Sequence, residues 1–453
     1  MIGGMSALPP GPRSQLWSLL QYLRDPVHCM LPMAREYGET LLFPGSPPLV
    51  CTGDPAGIHA IYTADPDAVE PLNVDLGEFI GARSLLLLRG AEHRRARKLM
   101  APPFHAARMR AYGEVIVRLT EEHTVTWRAG QVVRMLEVLP RISLAVILRT
   151  IFGVTEPGRT AELAALLLEI TTRISPLLAL VPALRRELGG IGPYAAYARR
   201  RRRLHAQLDA LIAAGRAAGP RDDVLSLLLA ARDEEGRPMP DAELRDQLIL
   251  LVFAGHETTA MAIGWGLYAL HRPENAGALA RLREELVALG PEPGPAALEG
   301  SRYLAAVCDE TLRRFPLAPA PNPRRLLRPL ELAGYTLPAG TAVAAAIGIA
   351  HFREAVYPEP LRFLPERFLG RPFSPFEFLP YGGGARRCLG AALASYEIRL
   401  VLGTLLRRFR LRLATLRPDR GRVRAANAGP ADGRMVVEGR LDGAAGALTR
   451  GAP

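Results

Sequence analysis

Phe378-Leu-Pro-Tyr-Gly-Gly-Gly-Ala-Arg-Arg-Cys-Leu-Gly390 is the stretch on which the reading of this chain turns. Gly382, Gly383 and Gly384 give a backbone that turns tightly and approaches a flat ligand closely. A single cysteine, Cys388, follows, and then the helical spacing of Leu389 to Phe409. A cysteine just ahead of a helix sits where the helix dipole and unpaired N–H groups stabilise a negative sulfur. Arg386 and Arg387 add positive charge. A lone cysteine beside a turn is ordinarily a buried structural residue; the whole string argues instead for a site that holds a thiolate.

Working outward, Cys29, Cys51 and Cys308 form neither a CxxC pair nor a zinc spacing with Cys388. Four cysteines in 453 residues do not make a disulfide scaffold, so a reducing compartment is expected. Upstream, Asp241 is placed to cap a helix running through Leu248 to Phe253. That helix is apolar nearly all round, as a helix in the centre of a fold should be. It then reads Ala254-Gly255-His256-Glu257-Thr258-Thr259. An interior glycine costs about 1 kcal/mol against alanine, and an acid with two alcohols adds desolvation cost unless partnered. One reading is a helix kink with satisfied polar groups. The other is a functional site, where local rules of this kind are most often broken: small residues leave room for a diatomic, Thr258 can bond to it, and Glu257 can relay protons.

The Cys388 string resembles the haem-binding loop of the cytochrome P-450 superfamily, with Tyr381, Gly384, Arg386, Cys388 and Gly390 at the family's offsets and Tyr381 where the family usually has Phe. The Ala254–Thr259 segment is similar to that family's oxygen-activating helix. The resemblance runs in family order from Leu8-Pro-Pro-Gly-Pro12 to the strand-like end near Met435. It implies a haem-thiolate monooxygenase of the soluble bacterial type, with Cys388 as axial ligand of haem b (iron protoporphyrin IX). The haem would lie between the central long helix and the Cys-loop helix, against Tyr381, Gly382 and Ala254, with Glu257 and Thr258 delivering protons. His256 occupies a variable position and receives no role.

Other charges gain meaning from the same resemblance. Glu310 and Arg313, at i and i+3, read alone as a surface ion pair; with Arg367 they match the family's buried network behind the haem loop. His93 and Arg97 lie one helical turn apart and suit an anionic group, although spacing alone favours a solvated basic helix. The resemblance assigns both to haem propionates, together with Arg386 and Arg324, Arg325 being the rival for the last place.

The net charge of +12 has its densest run at Arg199–Arg203, which we read as a solvated helix face and not a nucleic-acid patch. No apolar leader opens the chain and no segment reads as a transmembrane anchor, so a cytoplasmic protein is expected. Strand-like stretches at Leu41–Cys51 and around Leu330–Ala350, among helical spacing at Val115–Trp127, Pro140–Phe152, Leu204–Ala214 and Val224–Ala231, predict a mainly α fold with a small β portion. We expect one large domain over 13–442 between flexible ends at 1–12 and 443–453. The substrate pocket should draw on Ala68–Leu88, Leu163–Leu184, the central helix and Leu317–Asn322, which are mostly apolar, so a small apolar organic substrate is expected. O2 and a separate ferredoxin or flavodoxin with its reductase complete the partners that the resemblance implies. The alternatives are a peroxide-driven peroxygenase, which by the same resemblance would carry Arg-Pro where Glu257-Thr258 stand, a haem sensor, and a basic nucleic-acid-binding protein, for which no motif is present.

Overall fold

The computed structural model describes residues 8–441, apart from 73–75, 106–109, 154–156, 173–184, 186–191, 220 and 425–426. Helix dominates, with short strands, as the spacing predicts. The chain parts into two compact units: Met1–Leu72, Met109–Arg141 and Thr258–Pro453 in the first, Asn73–Arg108 and Ile142–Glu257 in the second. Two of the cuts fall inside helices, Met135–Phe152 and Asp241–Leu270, so no linker marks the division.

In the first unit a five-stranded sheet has the order Thr40–Phe43, Leu49–Thr52, Ala342–Ala345, Arg324–Leu326, Val69–Pro71. Leu49–Thr52 and Ala342–Ala345 pair in parallel, Val50 opposite Val343, and every other pair is antiparallel. Val50, Ile61, Leu326, Leu332, Leu337 and Val343 bury one apolar cluster on this sheet. The strand-like stretch around Leu330–Ala350 resolves into three strands and then departs from expectation, because Ile347–Ala350 is helical. The ladder ends where Ala346 N–H reaches Thr52 O at 2.7 Å, after which the N–H groups of Ile349 and Ala350 both return to Ala346 O. A second sheet orders Val132–Arg134, Arg434–Arg440 and Phe409–Leu413. Its last strand continues directly from the helix Ala391–Arg408 that follows the Cys388 loop.

Several boundaries move. Met135–Phe152 starts before Pro140 because Met135 and Leu139 are buried and anchor an extra turn. Asp241 is the first residue inside its helix and not its cap, and its carboxylate pairs with Arg216. Of the 1–12 stretch expected to be flexible, 1–7 lie outside the described residues, whereas Pro10 accepts a hydrogen bond from Leu42 N–H at 2.9 Å and is tied to the sheet. The tail from 442 also lies outside them.

The second unit is helical, with Gly90–Met100, Pro157–Thr172 and the 26-residue Pro193–Ala218. Arg199–Arg203 lies on the last of these and is not simply solvated: Arg200 pairs with Glu169, Arg201 with Glu78 and Arg203 with Glu162. Asp241–Leu270 is, against expectation, long and apolar enough by composition to cross a membrane. Two-thirds of its most apolar window (67%) is buried inside the fold, which is the environment of a core helix.

Candidate haem-thiolate site

The Cys388 loop is fixed from several sides. Cys388 N–H donates to Tyr381 O at 2.9 Å, closing the turn that carries the sulfur. Arg387 N–H returns to Gly384 O at 3.1 Å across a short 3-10 turn. The helix starting at Ala391 presents its N-terminus just beyond, with Ala394 N–H on Gly390 O. Tyr381, where the family usually has Phe, turns its hydroxyl to Ser395 Oγ on that helix at 2.7 Å, so the substitution adds a tie between loop and helix.

The glycines answer to Tyr62. A Cβ on Gly383 would lie 2.3 Å from the Tyr62 ring, and one on Gly384 would lie 2.4 Å from its carbonyl oxygen. Gly382 and Gly384 also have φ of 66° and 64°, the left-handed region that side chains avoid. For Gly383 and Gly384 the structure adds a demand that sequence reasoning did not foresee, the close approach of a tyrosine more than 300 residues upstream.

Of the four cysteines, only Cys388 is exposed. Burial raises the thiols of Cys29 and Cys51 to about 12 and pushes Cys308 up as well, so those three stay protonated. Beside the loop, Tyr62, Asn322, Arg324, Gly382, Gly383 and Arg386 line one cavity. Arg324 is buried, and desolvation lowers its pKa. Its guanidinium donates to Ile61 O at 3.0 Å and Gly383 O at 3.4 Å and lies over the Tyr62 ring, with no carboxylate in ion-pair reach among the described residues. A buried cation without an anion is costly. Its rival Arg325 is more exposed and pairs with Glu70 at 3.6 Å. The donor set of an exposed thiol, a buried unneutralised Arg324 and Arg386 on the same cavity fits haem, with its thiolate-seeking iron and anionic propionates.

Behind the loop, Glu310 and Arg313 are both fully buried and joined by two hydrogen bonds, at 2.7 and 2.9 Å. Arg367 approaches Glu310 at 3.6 Å, and Leu364 N–H donates to Glu310 at 2.8 Å. The surface-pair reading therefore fails. Sequence reasoning missed His351, which links this network to the loop. Its carbonyl accepts from Arg313 at 2.7 Å, its Nε2 accepts from Leu379 N–H at 3.1 Å, and its ring stacks on Phe378. Burial and the Arg313 charge lower its pKa to about 3, keeping Nε2 an acceptor.

In the second unit His93 is buried on Gly90–Met100 and Arg97 is half-buried one turn on, while Arg94 and Lys98 are exposed. Arg95 pairs with Asp233 and Glu243. The basic helix thus has an inward side that carries His93 and Arg97. Ala254 through Thr259 are helical without interruption, so there is no break in the helix there. Ala254 is exposed, Gly255, Glu257 and Thr258 are half-buried, and His256 is buried with Nδ1 2.8 Å from Val252 O. A Cβ on Gly255 would come within 2.7 Å of the tip of Ile147.

An apolar cavity in this unit is lined by Phe79, Leu167, Ile170, Tyr197, Leu204 and Ile249, among others. Phe79, Leu167, Ile170 and Ile249 come from segments expected to form the pocket; residues 173–184 of the expected Leu163–Leu184 segment lie outside the described residues. Tyr197, Arg201 and Leu204 were not expected; the apolar positions around the arginine run were the available signal. Of Leu317–Asn322, Pro321 and Asn322 line the cavity of Arg324 instead.

The chain belongs to the cytochrome P450 family, whose profile matches residues 8–422. Members of that family bind haem b through a cysteine thiolate, and the enzyme class is cytochrome P450 monooxygenase. More particularly, the chain is 36% identical to the putative cytochrome P450 135A1 of Mycobacterium tuberculosis, over 97% of each chain. It is 37% identical to the putative cytochrome P450 135B1 of Mycobacterium bovis, over 92% of this chain and 88% of that one. Among solved structures, a retinoic acid-bound cyanobacterial CYP120A1 matches with TM-score 0.80 at 24% identity, covering 95% of this chain and 99% of that one. A cytochrome P450DA haem domain matches with TM-score 0.81 at 22% identity, covering 96% and 99%. These two likenesses concern the fold.

Proposed function

We propose that this chain would hold haem b through the Cys388 thiolate and insert one atom of O2 into a small apolar organic substrate, with two electrons from a separate ferredoxin or flavodoxin system. The observation that carries the reading is the buried, unneutralised Arg324 on the same cavity as Arg386 and the glycines of the only exposed cysteine's loop. When bound, the haem supplies a redox-active iron at which O2 is reduced.

The chain's own residues do the rest. Arg386, Arg387 and the N-terminus of Ala391–Arg408 favour the Cys388 thiolate, and the Cys388 N–H bond to Tyr381 O holds the turn that carries it. Arg324 and Arg386 would hold propionates, and the family motif gives His93 and Arg97 the same duty. The half-buried Thr258 hydroxyl holds a proton at the oxygen-binding side, and the half-buried Glu257 passes protons to it from solvent. The family motifs give Tyr381, Gly382 and Ala254 the remaining contacts with the haem. The apolar cavity of Phe79, Leu167 and Ile249 takes the substrate and excludes water.

A carbon monoxide difference spectrum of the dithionite-reduced protein tests the ligand. A strongly red-shifted Soret band that Cys388→Ser abolishes is expected; no such band from haem-loaded protein overturns the assignment. For the proton route, Thr258→Ala should divert electrons from product to peroxide, and full coupling in that variant would remove the role given to Thr258.

A further inference from the structure

The first helix, Gln15–Arg24, is turned inside out. Leu16, Leu19, Leu20 and Leu23 have the i, i+3, i+4, i+7 spacing that normally faces a core, yet each is between 50% and 65% exposed. Trp17 beside them is exposed as well. The less exposed residues are Ser18, Gln21 and Tyr22, and Tyr22 packs on the cluster of Cys29, Met30 and Met33. The helix is nonetheless well anchored. Ser14 Oγ caps it by accepting from Trp17 N–H at 3.2 Å, Asp25 N–H closes its end on Gln21 O at 3.0 Å, and it packs on the strand Arg422–Arg424.

Its charge is one-sided. Gln15–Arg24 contains no acid, Arg13 and Arg24 are exposed at its two ends, and the strand it packs on carries Arg422 and Arg424 just after Arg420. The nearby acids are engaged: Asp25 with the ring of His28, and Asp419 with the N–H groups of Gly421, Ala431 and Asp432. The stripe is about 15 Å long and ~10 Å wide, so it covers ~150 Å² against about 800 Å² per partner in a stable protein pair. It is too small for a second copy of the chain but suited to a bilayer, where a few leucines enter the acyl boundary, a tryptophan sits at headgroup level and arginines meet lipid phosphates.

We propose that Leu16, Leu19, Leu20 and Leu23, flanked by Arg13 and Arg24, dock this protein peripherally on an anionic lipid bilayer. The test is flotation of the full-length haem-loaded enzyme with vesicles rich in phosphatidylglycerol, against vesicles of phosphatidylcholine alone. The enzyme should float with the anionic vesicles and less at high salt. Leu19→Ser with Leu23→Ser should lower vesicle affinity about tenfold or more, with the carbon monoxide spectrum unchanged as proof of folding. Arg13→Gln with Arg24→Gln should lower it less and flatten the salt dependence. Three outcomes overturn the proposal: no flotation of the wild type, equal flotation of the leucine variant, or a concentration-dependent dimer that the leucine variant abolishes while vesicle binding is nil.

Discussion

The Cys388 loop and the apolar cavity of the second unit are built on opposite principles. In the loop nearly every residue answers to a named neighbour: Gly383 and Gly384 to Tyr62, Tyr381 to Ser395, Phe378 and Leu379 to His351. In the cavity, Phe79, Leu167, Leu204 and Ile249 come from four separate helices and need only be apolar and of suitable size. One region is constrained by directional bonds and backbone conformation, the other by volume. Substitutions should therefore be all-or-none in the first and graded in the second.

The largest effect should fall on the network behind the loop. Arg313→Ala takes from the buried Glu310 its two short charge-assisted bonds and leaves it only Arg367 at 3.6 Å and the Leu364 N–H, which costs on the order of 3–5 kcal/mol. We expect little folded, haem-loaded protein from that variant, read by soluble yield and Tm. A Tm near wild type would mean that the loop does not depend on this pair. An acid limb should come from the same network. The His351 pKa lies at about 3 when folded, against about 6.5 unfolded. A histidine held neutral by folding contributes fully above the unfolded value. That contribution is lost as pH falls from about 6.5 toward 3, because the unfolded chain takes the proton first, at up to about 1.4 kcal/mol per pH unit. Urea titrations across this window should show the slope, and His351→Gln should reduce it.

These cases also separate what was legible in the sequence from what was not. Cys388 and the acid–alcohol pair Glu257–Thr258 stand out as candidates because they lie within short local patterns, whereas spacing alone makes Glu310–Arg313 a surface pair and only the family resemblance points to its burial. The mainly helical fold showed through its apolar periodicity, and the strands through their turn signals. Tyr62, His351 and Tyr197 act through packing and backbone bonds with residues far away in the chain, and no local pattern marks them. Helix ends were misjudged for the same reason: Met135 and Leu139 extend a helix past Pro140 because they are buried, a fact of tertiary packing. The resemblance favours Arg324 with Arg325 as a close rival, and the alternation of strand Arg324–Leu326 separates them by burying the first.

A smaller effect distinguishes the glycines of the loop from one another. Gly384→Ala places a side chain at φ 64° against the Tyr62 carbonyl, which costs roughly 1–3 kcal/mol. Gly390→Ala meets nothing within 4 Å of its new Cβ. The apoprotein Tm should drop for the first and stay level for the second. Equal drops would mean that the loop is sensitive as a whole and not through its fit to Tyr62.

The smallest effect, and the one that bears most directly on the contrast, belongs to the cavity. Leu167→Ala removes apolar surface from one wall of the cavity and alters none of the residues of the Cys388 loop. The vacated space should cost a short apolar ligand about 1–3 kcal/mol of contact and gain a longer one a similar amount, read as opposite shifts in their spectral dissociation constants. The wild-type loop should keep the carbon monoxide band in position throughout. A graded exchange of preference with the band unmoved is what a region built on volume predicts. If Leu167→Ala instead moves the band or abolishes binding of every ligand, the cavity wall and the thiolate environment are coupled, and the division between bonded and volumetric regions does not describe this enzyme.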